Sequence, residues 1–407
     1  MAIDWDSIRQ LVNTHLDDLS PELFLINQSL HAQPELAYQE VHAHDTLSDY
    51  IEARGYPVER KAYGLDTSFQ GATAGTDGRL VIVCAEYDAL PNLGHGCGHN
   101  LIATASLGAF LGAAHVLSQL GLSGRLRILG TPAEEGGGGK ARLLRAGAFG
   151  QPGDVAASIM AHPVPGGNIG RVSGLAALDL MASLKFRVEF RGVSAHAAGE
   201  PWKGRNALDA AVGAYNNVSM LRQQIRPEER VHGVFEVGGT VPNVIPDYTR
   251  MNWYVRAPTT EQGEALQTRV CACIDAAAVA AGCTNTYIVA ETYKHVISNP
   301  ALCALYVQDM AAFGQTVIIK SPKPLTASTD MGNVSHEMPG FHGAFAIPTG
   351  TETSLHSIEF AAAAATPEAH LCALQSAKGM AMLALRVLLE DTVAGDVRRA
   401  FEEKRRV

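Results

Sequence analysis

Four short stretches of this sequence carry groups able to bind a cation or move a proton, and each follows an apolar run. Glu86, Tyr87 and Asp88 follow residues 80–85 and lead into Gly94-His95-Gly96-Cys97-Gly98-His99-Asn100. Glu134 and Glu135 follow Thr131-Pro132-Ala133 and precede four glycines, His162 follows 157–161, and His356 lies beyond 343–347. In open parallel sheets ligands bind beyond the carboxyl ends of the strands, so one cleft would receive a thiol, three imidazoles and a carboxylate pair. Each signal alone is weak: a lone strand-end histidine is more often a hydrogen-bonded structural residue, and a lone cysteine an inert buried thiol. Their conjunction points to chemistry, and Cys97 and His99, two apart in an extended loop, can face the same side.

Such a set suits hydrolysis of an amide. That reaction needs a strong nucleophile at neutral pH, and a divalent ion supplies it by lowering the pKa of its water to about 7. The adjacent glutamates can divide the work, one ligating metal while the other takes the water's proton and passes it to the leaving nitrogen. Thiolate and imidazole donors favour zinc-like ions, with manganese and cobalt also open. Asp88 is the candidate for orienting His99, against a turn or capping role. Gly136 to Gly139 either let backbone approach the site closely or form a flexible turn.

The elements that must position these groups alternate. A helix to about Leu30, the run 80–85, a helix after Asn100, the run 126–129, a short helix near 140–146 and the run 157–161 predict a largely parallel sheet covered on both faces. From about Met181 the texture changes, because Leu184, Phe186, Val188 and Phe190 alternate with charged residues, the pattern of a half-exposed strand. A helix near 206–221, strands 231–237 and 248–255, a helix opened by Thr259 and Gln262 and closed by Gly282, and a strand 286–290 complete a β-α-β-β-α-β order, that of a split-βαβ domain. The α/β texture then resumes with a strand 343–347 and a helix 367–389. The predicted fold class is therefore α/β, with a discontinuous domain of residues 1–180 and 294–407 interrupted by an α+β, ferredoxin-like insertion at 181–293.

Composition narrows the classes. The 407 residues exceed one ordinary core. Hydrophobic residues at 47% and charged ones at 18% carry no disordered bias. A net charge of −9 without a basic stripe argues against nucleic acid as a partner. The tail Glu402-Glu403-Lys404-Arg405-Arg406 reads as the solvated end of a last helix. Residues 101–122 are apolar but interrupted by Thr104, Ser106, His115, Ser118 and Gln119, so a buried helix is expected rather than a membrane span. The opening Met1-Ala2-Ile3-Asp4-Trp5-Asp6 has no secretory pattern. Seven scattered cysteines suit a reducing cytoplasm.

At these residues the chain resembles the M20 metallopeptidases, and within them the amidohydrolase branch of aminoacylase-like and aminobenzoyl-glutamate hydrolase-like proteins. The stretches that carry the likeness are His31-Ala-Gln-Pro-Glu35, Ala85-Glu-Tyr-Asp-Ala-Leu-Pro91, Gly94 to Asn100, Pro132-Ala-Glu-Glu-Gly136, Gly192-Val-Ser-Ala-His-Ala197, Pro242-Asn-Val-Ile-Pro246 and Leu355-His-Ser357. Ser328-Thr-Asp-Met-Gly-Asn-Val-Ser335 is most similar to the β-alanyl-lysine dipeptidase-like subgroup. The resemblance implies a zinc-peptidase-like fold with a lid and dimerisation domain. It implies two divalent ions (Zn, Mn or Co) held by Cys97, His99, Glu135, His162 and His356, with Glu134 as acid/base. It also implies that His196 stabilises the oxyanion, commonly of the neighbouring subunit's site, that Asn243 and Arg256 contact substrate, and that the protein is a homodimer. Glu86 stands where many members of the family have a metal-binding histidine, and Cys97 near where they use aspartate.

Rival chemistries lack their residues. No G-x-S-x-G is present for a serine hydrolase, and Gly136 to Lys140 fails the P-loop pattern at Glu134 and Ala141. A binding protein on the same scaffold would not need Glu134 beside the ligand Glu135. Among enzymes, a dipeptidase and an N-acyl amino acid or aminobenzoyl-glutamate hydrolase share the need for a cation facing a substrate carboxylate, which Arg256 suits.

Overall fold

The computed structural model describes residues 3–75, 77–151, 153–321 and 326–405. Met1, Ala2 and Arg406, which belong to the two terminal stretches read above, lie outside them. In chain order the strands are β1 (Val58–Arg60), β2 (Phe69–Ala72), β3 (Leu80–Ala85), β4 (Arg125–Gly130), β5 (Val155–Pro165), β6 (Gly174–Ala177), β7 (Ala182–Arg191), β8 (Arg230–Val237), β9 (Tyr248–Ala257), β10 (Thr284–Val289), β11 (Val317–Lys320) and β12 (Gly340–Ile347). The chain divides into two compact units, one of Met1–Asp179, Val296–Leu325 and Asp330–Val407, the other of Leu180–His295 and Thr326–Thr329. The segment Thr326–Thr329, assigned by sequence to the discontinuous domain, groups instead with the insertion. There Met181 donates its backbone N–H to the Ala327 carbonyl at 2.9 Å.

The first unit holds an eight-stranded sheet in the order β1-β2-β4-β3-β5-β12-β6-β11. Its centre is parallel, with β4, β3, β5 and β12 all running the same way, while β2 against β4 and β6 against β12 are antiparallel. The uninterrupted apolar run of β3 follows from burial on both faces. Val81, Val83 and Ala85 pack into the core shared with the helices Trp5–Ala32, His99–Gln119 and Pro367–Leu389. Leu80, Ile82 and Cys84 pack against Leu129, Met160, Leu143 and Met331 on the other face. Helix His99–Gln119 is apolar all round because it lies inside, buried along nearly its whole length. The sequence reading missed β1, β2, β6 and β11, which have three or four residues each.

The second unit is a four-stranded antiparallel sheet in the order β10-β7-β9-β8, with helices Ala207–Leu221 and Thr260–Ala280 sharing its core. Phe186, Phe190 and Trp253 from the strands meet Val270 and Ile274 of the second helix in that core. Thr259 caps that helix, its hydroxyl accepting from Gln262 N at 3.3 Å.

Helix Pro300–Ala312 is clamped to helix Pro367–Leu389 by a buried two-point ion pair. Arg386 Nε and Nη2 each donate to an Asp309 carboxylate oxygen at 2.7 Å, and the guanidinium also lies over the Trp5 ring at 4.3 Å. Removing one partner strands the other charge in a dry interior. Asp309→Ala is accordingly expected to lower unfolding stability by about 3–5 kcal/mol, read as the shift in a urea denaturation midpoint. A loss below about 1 kcal/mol, the usual size for an exposed pair, would contradict the clamp.

Candidate metal centre

Each strand that points into the site ends in a local device that fixes one group. After β4, Thr131 continues the ladder by donating to the Ala85 carbonyl at 2.8 Å. Ala133 then adopts a left-handed conformation, φ 60°, which turns Glu134 and Glu135 inward. The four glycines are a close-approach device at one position above all: a Cβ on Gly139 would stand 1.7 Å from the Pro132 carbonyl oxygen. Gly98, φ 79°, starts helix His99–Gln119 and lies against Pro163, so Cys97 is delivered from the loop and His99 from the first turn. His356 also has a positive φ, 61°, and is pinned by donating its N–H to the Gly96 carbonyl at 2.9 Å. His162 lies within β5 rather than after a strand end, because β5 continues four residues past the apolar run 157–161 and pairs His162 with Ala344.

These devices bring five side chains to one point. Cys97 Sγ is 3.4 Å from both His162 Nε2 and His356 Nε2. Glu135 Oε1 is 3.4 Å from His356 Nε2 and 3.8 Å from His99 Nε2. Two triads, Cys97-His99-His162 and Cys97-Glu135-His356, share the sulfur, and the donor atoms within each lie within 4.8 Å of one another.

The hydrogen bonds fix the ring tautomers toward the centre. Asp88 Oδ1 takes the Nδ1 proton of His99 at 3.1 Å, and the Pro163 carbonyl takes that of His162 at 2.7 Å. Both Nε2 lone pairs therefore face the sulfur and the glutamate. His99 Nε2 and Glu135 Oε1 are buried and make no hydrogen bond. Such orphaned atoms cost free energy unless something satisfies them, and with a thiol between two imidazoles the donor set fits a borderline divalent ion.

Electrostatics point the same way. Burial pushes the Cys97 thiol well up, with Glu135 adding to it. Burial also disfavours ionised Glu135, but the neighbouring His356 and His99 rings outweigh it and leave that carboxyl at about 2. His162 is held neutral, at about 4, by burial and the nearby His99. Glu134 is pushed well above the usual carboxylate range by burial and by Glu86, Glu135 and Asp330. Asp88 ties the pieces together, since its Oδ2 also accepts from Glu135 N at 2.8 Å.

Three residues near this site escaped the sequence reading. Glu40, at the start of helix Val41–Ala53, accepts from Ala133 N at 2.9 Å and from Thr67 Oγ1 at 2.7 Å, so it braces the strained turn before Glu134. His342 of β12 is buried, its ring 6.3 Å from that of His162, and both its ring nitrogens lack a hydrogen-bond partner. Lys140 is fully buried and pairs with Glu86 and Asp330. The remaining site candidates belong to the second unit. His196 is exposed, and its Nδ1 accepts from Ala198 N at 3.2 Å and Gly199 N at 3.0 Å, which puts its proton on Nε2. Asn243 is exposed, with its carbonyl accepting from Ala197 N at 3.0 Å. Arg256 of β9 reaches Ser328 Oγ at 3.1 Å.

Burial raises the Glu40 carboxyl to about 7, against the Thr67 hydrogen bond that lowers it. The folded protein thus holds this proton more tightly than the unfolded chain, and the stability it contributes is complete below the ordinary value of 4.5 and lost by about 7. Wild-type stability should therefore fall relative to Glu40→Gln as pH rises through that window, measured by urea midpoints at closely spaced pH. A difference that stays flat across it would show that Glu40 titrates as an ordinary carboxylate.

Known proteins resemble the chain along most of its length. Residues 82–384 match peptidase family M20/M25/M40. The mouse Xaa-Arg dipeptidase is 37% identical over 421 residues, covering 99% of this chain and 94% of that protein. A component of the p-aminobenzoyl-glutamate hydrolase of Escherichia coli is 27% identical, covering 88% and 87% respectively. In fold, the chain is similar to a Bacillus subtilis dinuclear metal binding peptidase of the M20 family, with TM-score 0.65, 22% identity and coverage of 91% and 99%. The chain belongs to peptidase family M20/M25/M40.

Proposed function

We propose that this metal-dependent hydrolase is a dipeptidase that cleaves Xaa-Arg and related dipeptides with a cationic carboxyl-terminal residue. The observation that carries the hydrolytic reading is the convergence of Cys97, His99, Glu135, His162 and His356 on one point, with His99 Nε2 and Glu135 Oε1 orphaned there. The dipeptide preference draws on the likeness to the mouse Xaa-Arg dipeptidase over nearly the whole chain. A net charge of −9 is consistent with attracting cationic substrates. The likeness to the aminobenzoyl-glutamate hydrolase component supports a second reading, an amidohydrolase acting on aminobenzoyl-glutamate or N-acyl amino acids.

In this reading the five residues would hold two divalent ions, zinc, manganese or cobalt. Bound there, the ions supply Lewis acidity that makes water a nucleophile at neutral pH. Glu134 takes the water's proton as it attacks the amide carbon and returns it to the leaving nitrogen. Its raised proton affinity suits a group that must accept and then release a proton near neutrality. Asp88 holds His99 in the tautomer that presents Nε2. His196, with its proton on Nε2, is the donor for the oxyanion in the neighbouring subunit's site. Arg256 and Asn243 take the substrate carboxylate and backbone.

A homodimer formed through the second unit is part of the proposal. Its edge strand β8 exposes Val234 and Phe235, and the helix Ala207–Leu221 exposes Val212, Tyr215 and Met220, an apolar surface of the kind that marks interaction sites. Seven free cysteines support a reducing, cytoplasmic setting.

The test is a panel of dipeptides, N-acetyl and long-chain N-acyl amino acids and aminobenzoyl-glutamate offered to metal-reconstituted protein. Fastest turnover of dipeptides ending in Arg or Lys is the expected result, and preference for aminobenzoyl-glutamate would replace it with the second reading. Glu134→Gln should retain bound metal and lose about 10²–10⁴ in kcat; wild-type turnover by that variant would refute the mechanism. Arg256→Ala should raise KM for free-acid substrates far more than for their carboxamides, and equal effects on both would remove Arg256 from the carboxylate.

A further inference from the structure

Glu86, Glu134 and Asp330 each offer an oxygen within 4.8 Å of the others, in a fully buried pocket behind the sulfur and imidazoles. Three carboxylates so close are a hard-oxygen cation site by chemistry, of the type that suits magnesium, calcium or manganese. In this chain the cation is already part of the sequence. Lys140 is 0% exposed, and its ammonium donates to Glu86 Oε1 and, at 2.8 Å, to Asp330 Oδ1. Its backbone N–H, in the first turn of helix Gly139–Arg145, donates to Asp330 Oδ2 at 2.8 Å. The close approach of Gly139 to Pro132 sets this turn, so the ammonium is delivered by the same glycine run that delivers Glu134 and Glu135. Glu86 carries the link onward, because its other oxygen lies 3.7 Å from His99 Nε2 and has no hydrogen-bond partner. Burial by itself would push the Lys140 ammonium toward neutrality, but Asp330, Glu86 and Glu134 together hold it charged.

We propose that the Lys140 ammonium is a resident cation of the site, occupying the Glu86–Glu134–Asp330 pocket where a divalent ion would otherwise gather and confining metal to the Cys97 end. The inference rests on the metal-centre reading above, yet it concerns a different set of donors and can be tested separately. Lys140 touches no reacting atom in that reading and acts as a positioning residue, through Glu86 and Asp330.

The experiment counts metal rather than turnover. Wild type, Lys140→Ser and the charge-balanced pair Lys140→Ser/Glu86→Gln are dialysed against Mn²⁺ and then buffer, and manganese per chain is measured by inductively coupled plasma mass spectrometry. Thermal unfolding is followed with chelator and with Mn²⁺. Lys140→Ser should hold one more ion per chain than wild type, and its lowered unfolding temperature should recover on adding Mn²⁺. The paired variant removes one positive and one negative charge, so it stays foldable if the single variant does not. It should also gain an ion, since Glu134 and Asp330 still face the vacated space. If neither variant binds more manganese than wild type, the proposal is overturned. Wild type holding no ion while Lys140→Ser holds one would keep Lys140 as the occupant of the carboxylate pocket and remove the metal-centre reading, and with it the confinement of metal to the Cys97 end.

Discussion

The Asp88 carboxylate is the constraint on which the rest of the site depends. One oxygen fixes the His99 ring and the other fixes the backbone of Glu135, so a single side chain at the end of β3 registers the loop that follows it against the turn that follows β4. With both bonds made, His99 Nε2 and Glu135 Oε1 face one another 3.8 Å apart, and neither has a hydrogen-bond partner. That separation suits two ligands of a common ion and is wasteful for anything else, because buried unsatisfied polar atoms each cost about 1–3 kcal/mol.

Around this constraint the site divides by donor hardness. The sulfur and imidazoles lie on one side, and three carboxylates and an ammonium on the other, with Glu86 and Glu134 at the boundary. The division lets two adjacent glutamates behave differently: Glu135, beside His356 and His99, stays ionised, while Glu134, among Glu86, Glu135 and Asp330, holds its proton more tightly. Pairs of carboxyl groups whose surroundings drive their proton affinities apart are how one fold obtains a ligand and a general base from the same residue type. Strain at Ala133 and His356 accompanies this arrangement. Each left-handed residue costs about 1–3 kcal/mol, which the surrounding bonds must over-determine.

Much of this was legible from residue order. The run 80–85 corresponds to β3 and the helix 367–389 to its observed bounds, because continuous apolar strands and long amphipathic helices leave strong periodic signals. The β-α-β-β-α-β order of the insertion was equally plain from the alternation at 184–190 and the strand and helix signals that follow it to residue 290. Cys97, His99, Glu134, Glu135, His162 and His356 stood out because reactive types followed apolar runs. Glu40, Lys140 and Asp330 did not, since their meaning lies in pairings 93 and 190 residues apart that no local pattern encodes. A buried lysine in a helix's first turn reads as a surface residue until the fold places carboxylates around it. His162 shows the converse error: its apolar run gave out before its strand did.

The central claim is that a divalent ion binds between Cys97 Sγ and the imidazoles, and anomalous diffraction from zinc-loaded crystals addresses it directly. The account predicts strong anomalous peaks at this point, with sulfur at about 2.3 Å and imidazole nitrogen at about 2.0–2.1 Å, their ligands drawn from Cys97, His99, Glu135, His162 and His356. A peak elsewhere, or zinc at this position without sulfur among its ligands, would contradict it.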